Sequence, residues 1–314
     1  MSIRLTLGTR GSKLALWQAN WVRDNLSSMF PGSEIMIKIV KTKGDKVLDC
    51  PLSQIGSRGV FVKELEEAIL RNEVDVAIHS AKDIPSELPA DLSLLAFSPR
   101  EDPRDVLVSK KGLPLEKLPD RAIIGTSSLR RICQLKLLRP DINFVDLRGN
   151  LDTRLAKLHQ GNMDAITVAA AGIIRLGFTE QVTEFFRPDV VIPAVGQGAI
   201  AIEGKESRPD LRQIFARITD EESTIRVTAE RSFLSRLEAG CQVPIAAHAI
   251  LTNQSLSLHA LMSNLSGTKV IMDSMTAPSH QAARLGLSLA EKLLTAGGDE
   301  ILQEIRDSAR ENLF

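Results

Sequence analysis

Apolar residues recur along this chain in two rhythms, and the rhythm switches repeatedly. Ile3 to Leu7 is a short apolar run that predicts a strand. Ser12 then precedes Leu16, Ala19 and Val22 at helical spacing and reads as a helix N-cap. Glu34 to Val40 alternates as a strand does, and Thr42 to Gly59, with three Gly and one Pro, reads as a mobile loop able to act as a lid. Val62, Leu65, Ala68 and Ile69 return to helical spacing and lead into a buried strand, Val74 to Ile78.

The same alternation continues downstream. Ala122 to Ile124 predicts a strand, followed by a turn at Gly125-Thr126-Ser127-Ser128 and a helix from Leu129. Phe144 to Leu147 and Ala165 to Val168 are further strands, each with a glycine-bearing turn after it. Repeated β-α units predict parallel sheets with helices on both faces, and such sheets collect ligands at the C-terminal ends of their strands. Ser98 to Pro103 and Ile192 to Gly198 read as crossovers between domains. After Gly240, three strand-like runs (Ile245 to Leu251, Leu256 to Met262, Val270 to Met275) precede two helical runs and predict a separate small α+β domain.

Composition narrows the functional classes. The chain has 314 residues, enough for two or three domains, with 43% hydrophobic and 25% charged residues, a globular balance. Lys plus Arg and Asp plus Glu are 39 each, which disfavours a globally basic nucleic-acid binder. Aromatics are 4%, with no Tyr, which leaves few platforms for stacking bases. The first residues carry no signal-peptide pattern, and the uncharged stretch Ala239 to Thr268 is studded with Gln, His, Asn and Ser, so it reads as strands and not as a membrane span. Three cysteines without a CxxC pair fit a reducing compartment.

Candidate chemistry concentrates at the predicted strand ends. Gly196-Gln197-Gly198-Ala199-Ile200-Ala201 fits a GxGxxA dinucleotide fingerprint, but a strand and not a helix follows it. The five His make no metal-ligand set, and no metal is expected. Residues 121–160 hold eight Lys or Arg against three Asp, a local balance of +5. Any one of Arg130, Arg131, Arg148 and Arg154 is ordinarily a solvated surface charge; together at strand-to-helix junctions they read as an anion site. Lys82 and Asp83 emerge at the tip of the strand Val74 to Ile78, where the pair is either a surface accident or a ligand-facing acid and base. Arg10 and Ser12 follow the first strand beside it. Cys241 sits in a Gly/Pro-bounded loop and is either an inert small hydrophobe or a reactive thiol; Cys133 reads as plain core, and Cys50 takes no role.

Taken in order, these segments carry a resemblance. Thr9-Arg10-Gly11-Ser12-Lys13-Leu14-Ala15-Leu16-Trp17-Gln18, Phe61-Val62-Lys63-Glu64-Leu65, His79-Ser80-Ala81-Lys82-Asp83 and Arg100-Glu101-Asp102-Pro103-Arg104-Asp105 resemble the hydroxymethylbilane synthases, also called porphobilinogen deaminases. So do Gly125-Thr126-Ser127-Ser128-Leu129-Arg130-Arg131, Leu147-Arg148-Gly149-Asn150, Thr153-Arg154-Leu155, Pro193-Ala194-Val195-Gly196-Gln197-Gly198 and Gly240-Cys241-Gln242-Val243-Pro244. Gly11 and Lys13 stand where the family more often has Gln and Pro.

The resemblance implies an α/β fold with two doubly wound domains like periplasmic solute-binding proteins, hinged about a cleft, plus a small C-terminal α+β domain. The implied boundaries are 1–99 with 197–217, 100–196, and 218–314. It implies a dipyrromethane cofactor held by a thioether to Cys241, onto which four porphobilinogen units are added with loss of ammonia. The linear tetrapyrrole hydroxymethylbilane, a haem precursor, is then released by hydrolysis. Carried over residue by residue, the catalytic acid is Asp83. Ser12, Lys82, Thr126, Ser128, Arg130, Arg131, Arg148 and Arg154 hold the cofactor, and Arg10, Arg175, Gln18 and Gln197 serve the substrate. Each pyrrole bears an acetate and a propionate, so a six-ring chain needs many permanent cations, and Asp83 would steady the cationic pyrrole formed at each addition. The implied partner is porphobilinogen alone, with no nucleic acid or membrane, and the implied state is a monomer in the cytoplasm or, after removal of a transit peptide, in an organelle stroma or matrix. Two rivals share the hinged architecture: a non-catalytic receptor for small anions, which needs neither Cys241 nor Asp83, and a regulator's effector domain, which needs an appended DNA-binding helix-turn-helix.

Overall fold

The computed structural model describes residues 2–42, 44, 62–238 and 243–311. The chain packs as two compact units, Met1–Glu101 with Gly198–Thr224, and Asp102–Gln197 with Ile225–Phe314.

In the first unit, β1 (Arg4–Thr9), β2 (Glu34–Ile39), β3 (Val76–Ser80), β4 (Leu92–Phe97) and β10 (Ile200–Lys205) form one sheet in the order β2-β1-β3-β10-β4. Four of the five β3 residues, Val76 to His79, are buried, the signature of a central strand covered on both faces. Helix α1 (Lys13–Met29) buries Ala15, Gln18, Ala19, Val22 and Leu26, one stripe at i, i+3, i+4, i+7 and i+11. Ala19, Val22 and Leu26 of that stripe meet Leu5, Leu7, Val76, Ile78, Ile200 and Phe215 of α6 (Pro209–Phe215) in the core. Helix α2 (Lys63–Leu70) turns Leu65, Ala68 and Ile69 onto Val74, Ala77 and Leu92 in a second cluster.

The second unit contains β5 (Asp105–Ser109), β6 (Ile123–Gly125), α3 (Leu129–Leu138), β7 (Asn143–Val145), α4 (Leu151–Gln160), β8 (Ala165–Ala169), α5 (Ala170–Arg175) and β9 (Glu184–Phe185). Its sheet order is β7-β6-β8-β5-β9. The same unit holds the C-terminal meander of β11 (Ile245–Thr252), β12 (Ser255–Ser263) and β13 (Val270–Pro278), an antiparallel sheet. α8 (Ala282–Leu293) and α9 (Asp299–Glu311) follow it. Its core joins Phe233 and Ala229 of α7 (Glu221–Arg236) to Leu256, Leu258, Leu285 and Leu289.

The expected fold class holds, with one correction: the two large sheets are not purely parallel. β10 runs antiparallel to β3 and β4, and β5 runs antiparallel to β8 and β9. Each of these strands begins directly after a chain crossover. Its first residue pairs with the last residue of a parallel neighbour, Ile200 with Ser80 and Asp105 with Ala169. The crossover thus delivers the chain to the C-terminal edge, from which it runs back. Side-chain alternation is the same for either direction, so the apolar pattern does not carry this information.

The glycines of the GxGxxA stretch have a structural use. Gly196 and Gly198 both hold positive φ, +69° and +96°, and β10 opens at Ile200 where a nucleotide site needs a helix. A Cβ on Gly198 would lie 2.3 Å from the Glu101 carbonyl oxygen. Gly198→Ala is therefore expected to lower stability by about 2 kcal/mol or more, read as a drop in the thermal midpoint.

Beneath the strand ends of the first unit lies a buried polar group. His79 Nε2 is 3.0 Å from Glu203 Oε2, and both side chains are almost fully enclosed. Burial first, then the Glu203 charge, lift the Glu66 carboxyl from 4.5 to about 7, against the opposing pull of His79 and Lys63. The folded value lies above the unfolded one. The contribution to stability is then complete below about pH 4.5 and is lost as pH rises through about 7. Glu66→Gln should raise the thermal midpoint by a few degrees at about pH 8 and leave it nearly unchanged at about pH 5; equal effects at both would remove this assignment.

Candidate active site

In the second unit, β6 and β7 both end in loops that carry candidate residues. β6 and β7 lie side by side, with Gly125 opposite Val145. The loops that follow are bonded to each other: Thr126 N–H donates to the Val145 carbonyl, and Ser127 Oγ both donates to the Leu147 carbonyl and accepts from its N–H, at 3.0 and 3.1 Å. Thr126 is buried and its Oγ1 accepts from Ser128 N–H at 3.2 Å, a local turn that opens α3. Ser127 takes no role in the sequence reading, yet its hydroxyl bonds the two loops together. Sequence offers no sign of this, because its partner lies 20 residues away.

Arg130 and Arg131 occupy the first turn of α3 and are 6% and 5% exposed. They converge on Asp105, a fully enclosed carboxylate at the start of β5. Arg130 Nη1 donates to Oδ2 at 2.6 Å and to the Ile192 carbonyl at 2.7 Å. Arg131 grips Oδ1 through Nε and Nη2 at 3.1 and 2.7 Å, and its Nη1 donates to the Thr167 carbonyl. Gln197 Nε2 adds a bond to Oδ1 at 3.0 Å and one to the Pro103 carbonyl at 2.7 Å, so Gln197 is tied into the crossover. Burial alone would raise the Asp105 carboxyl; the two guanidinium charges outweigh it and hold the group well below the usual carboxylate range. The antiparallel course of β5 is what brings Asp105 to this edge.

Arg148 leaves β7 on the same edge, and its Nη1 is buried without a hydrogen-bond partner. Its carbonyl accepts from Lys157 Nζ at 3.1 Å. Arg154, in the first turn of α4, donates from Nε to the Gly149 carbonyl at 2.8 Å. Arg175 ends the short α5 and is half-buried.

The first unit has its own edge. Ser12 caps α1, its Oγ accepting from Ala15 N–H at 3.2 Å, and Arg10 lies half-buried in the same tight loop. After β3, one turn of 3-10 helix, Ala81–Asp83, carries Lys82 and Asp83, both half-buried. Ala81 N–H donates to the Ala199 carbonyl and fixes the turn against the start of β10. Buried Gln18 reaches from α1 to donate from Nε2 to Ser80 Oγ at 2.8 Å, which braces the turn from the other side. Among the described residues no cation forms an ion pair with Asp83.

Cys241 and all but Thr42 and Gly44 of the loop Thr42 to Gly59 lie outside the described residues, as does Cys50. Cys133 is buried and packs with Ile192, Ala246 and Leu261.

The porphobilinogen deaminase family model describing the dipyrromethane cofactor-binding domain matches residues 5–213, and the model for the family's C-terminal domain matches residues 224–295. The porphobilinogen deaminase of Geobacter sulfurreducens is 47% identical over 310 residues, 98% of this chain and 97% of that protein. That of Roseiflexus castenholzii is 47% identical over 298 residues, 95% of this chain and 98% of that protein. The crystal structure of the methionine-binding protein MetQ is similar at 11% identity and a TM-score of 0.46, over 74% of this chain and 96% of that one. With both domain models matched and relatives aligned from end to end, the chain belongs to the porphobilinogen deaminase family.

Proposed function

We propose that this chain is a hydroxymethylbilane synthase, which joins four porphobilinogen units head to tail on a covalently held dipyrromethane, releases ammonia at each addition, and frees the linear tetrapyrrole by hydrolysis. Beyond family membership, the observation that carries this reading is the buried, unpartnered Nη1 of Arg148 on a strand-end edge that also holds Arg130 and Arg131. A buried guanidinium nitrogen without a partner is costly unless a ligand completes it. A dipyrromethane carries two acetates and two propionates, and guanidinium pairs bidentately with carboxylates. The residues present fit the group.

In this reading Arg130, Arg131, Arg148 and Arg154 take the cofactor carboxylates, with Ser12, Lys82, Thr126 and Ser128 as further donors. The thioether to Cys241 anchors it. When bound, the cofactor supplies an electron-rich pyrrole carbon to begin the chain. Arg10 and Arg175 hold the acids of incoming porphobilinogen, and Gln18 and Gln197 steady the elements around it through Ser80 and Asp105. Asp83 accepts a hydrogen bond from the substrate's pyrrole N–H at a carboxylate oxygen. As the amino group of the substrate's aminomethyl arm departs as ammonia, its methylene stays on the ring, positive charge grows on the pyrrole nitrogen, and the carboxylate offsets it. Among the described residues no salt bridge competes for that carboxylate.

Three domains, bounded at 1–99 with 197–217, 100–196 and 218–314, and a monomeric cytoplasmic enzyme complete the reading; the core beneath β11–β13, built almost wholly from residues 229–302, supports the third domain. No helix among the described residues is long and apolar enough to cross a membrane. The test is incubation with porphobilinogen, with ammonia and the linear product followed together and the protein weighed intact. Product and an added mass of two linked pyrroles are expected. A protein that binds porphobilinogen and returns it unchanged would favour the receptor reading.

A further inference from the structure

We infer that Asp105 is a positioning residue that sets the anion capacity of the arginine pair to one carboxylate. This rests on the reading above, in which Arg130 and Arg131 hold cofactor acids.

Two guanidinium groups and one carboxylate share an almost solvent-free site, with side chains 7%, 6% and 1% exposed. Asp105 stays ionised, since the pair suppresses its protonation. The triad therefore carries one net positive charge. Without Asp105 the same volume would hold two, and like charges that close together in a poorly solvated site repel strongly. Without either arginine it would hold none, and an entering carboxylate would meet no compensation for its lost hydration.

The bonding also decides which donors remain. Asp105 and the Ile192 carbonyl occupy Arg130 Nη1, so Arg130 presents Nε and Nη2 as a two-pronged edge. The two-point grip on Arg131 fixes the plane of the second guanidinium. One planar carboxylate matches one such edge. Asp105 thus fixes both the number of acids accepted here and the orientation in which one is met.

Four proteins separate charge counting from packing: wild type (net +1), Asp105→Asn (+2), Arg130→Met (0) and the double variant (+1). Each is supplied with porphobilinogen. The fraction carrying the two-pyrrole mass is read by intact mass spectrometry, and the thermal midpoint of each cofactor-free protein is measured alongside. The decisive comparison is between Arg130→Met and the double variant, because both lack Arg130 and so share its packing defect. Arg130→Met keeps the Asp105–Arg131 pair and should have the higher midpoint. If Asp105 only stabilises the fold, Arg130→Met also loads better. If it sets the charge, the double variant loads better, by about tenfold, despite its lower midpoint. Loading of Arg130→Met equal to or above the double variant overturns the inference. This comparison stands even if Asp105→Asn alone does not fold. Wild type that gains no mass overturns the functional reading together with this one, whereas wild type that loads while the order of the two variants is reversed overturns this one alone.

Discussion

Asp83→Asn is expected to yield a folded protein that still acquires its two-pyrrole cofactor yet turns over at about one thousandth of the wild-type rate or less. Asn is nearly isosteric and keeps one acceptor oxygen, so the turn Ala81–Asp83, held by Ala81 N–H on the Ala199 carbonyl, has no reason to move. What is lost is the negative charge. A correctly aimed electrostatic stabiliser of the transition state is worth roughly 3–4 kcal/mol, which corresponds to two or three orders of magnitude in rate. Asp83 is asked to act at every one of the additions, so losses multiply along the chain and full-length product should fall further than the first addition does. The measurement is single-turnover ammonia release against product formation, with the circular dichroism spectrum and the intact mass as controls. Turnover within tenfold of wild type would remove Asp83 from the chemistry.

Arg148→Leu should produce the opposite pattern: a protein at least as stable as cofactor-free wild type that remains largely unloaded. The buried Nη1 of Arg148 has no partner among the described residues, so replacing the guanidinium by a smaller, wholly apolar side chain relieves an unsatisfied donor at a half-buried position. On the proposed reading the same deletion would leave a carboxylate of the dipyrromethane without its counter-charge, and removing one member of a buried pair costs about 3–5 kcal/mol. Loading, read by intact mass, should drop by a factor of about a hundred or more. The thermal midpoint of the cofactor-free variant should match or exceed that of cofactor-free wild type. A lower midpoint would mean that Arg148 serves the fold, and normal loading would mean that its free nitrogen faces something else.

The element pattern and the family resemblance were legible in the residues, because both depend on local order. Ser12 before the α1 stripe, the turn Gly125 to Ser128 before α3, and the three C-terminal strands follow from caps, turn residues and alternation within a dozen positions. The candidate residues were legible too, since strand ends announce themselves where an apolar run stops. Their bonding was not. Arg130 and Arg131 read as open cations until Asp105, 25 and 26 residues earlier, closed on them. Gln18 and Gln197 read as residues that serve the substrate, and their bonds to Ser80, Asp105 and the Pro103 carbonyl leave no mark in the sequence. Glu66 carries no sequence mark of its raised carboxyl, which burial and then the charge of Glu203, on a strand more than a hundred residues away, bring about.

The amino-acid order by itself determined the alternation of strands and helices, the glycine turns, the cluster of permanent cations and the acid at the tip of β3, because each is set by neighbours along the chain. Tertiary structure alone decided the direction of β5 and β10, and with it the arrival of Asp105 beside two arginines and of Glu203 beside His79. The reason is physical: a side chain's periodicity is blind to strand direction, and a buried charge takes its meaning from whatever the fold places within a few ångströms of it.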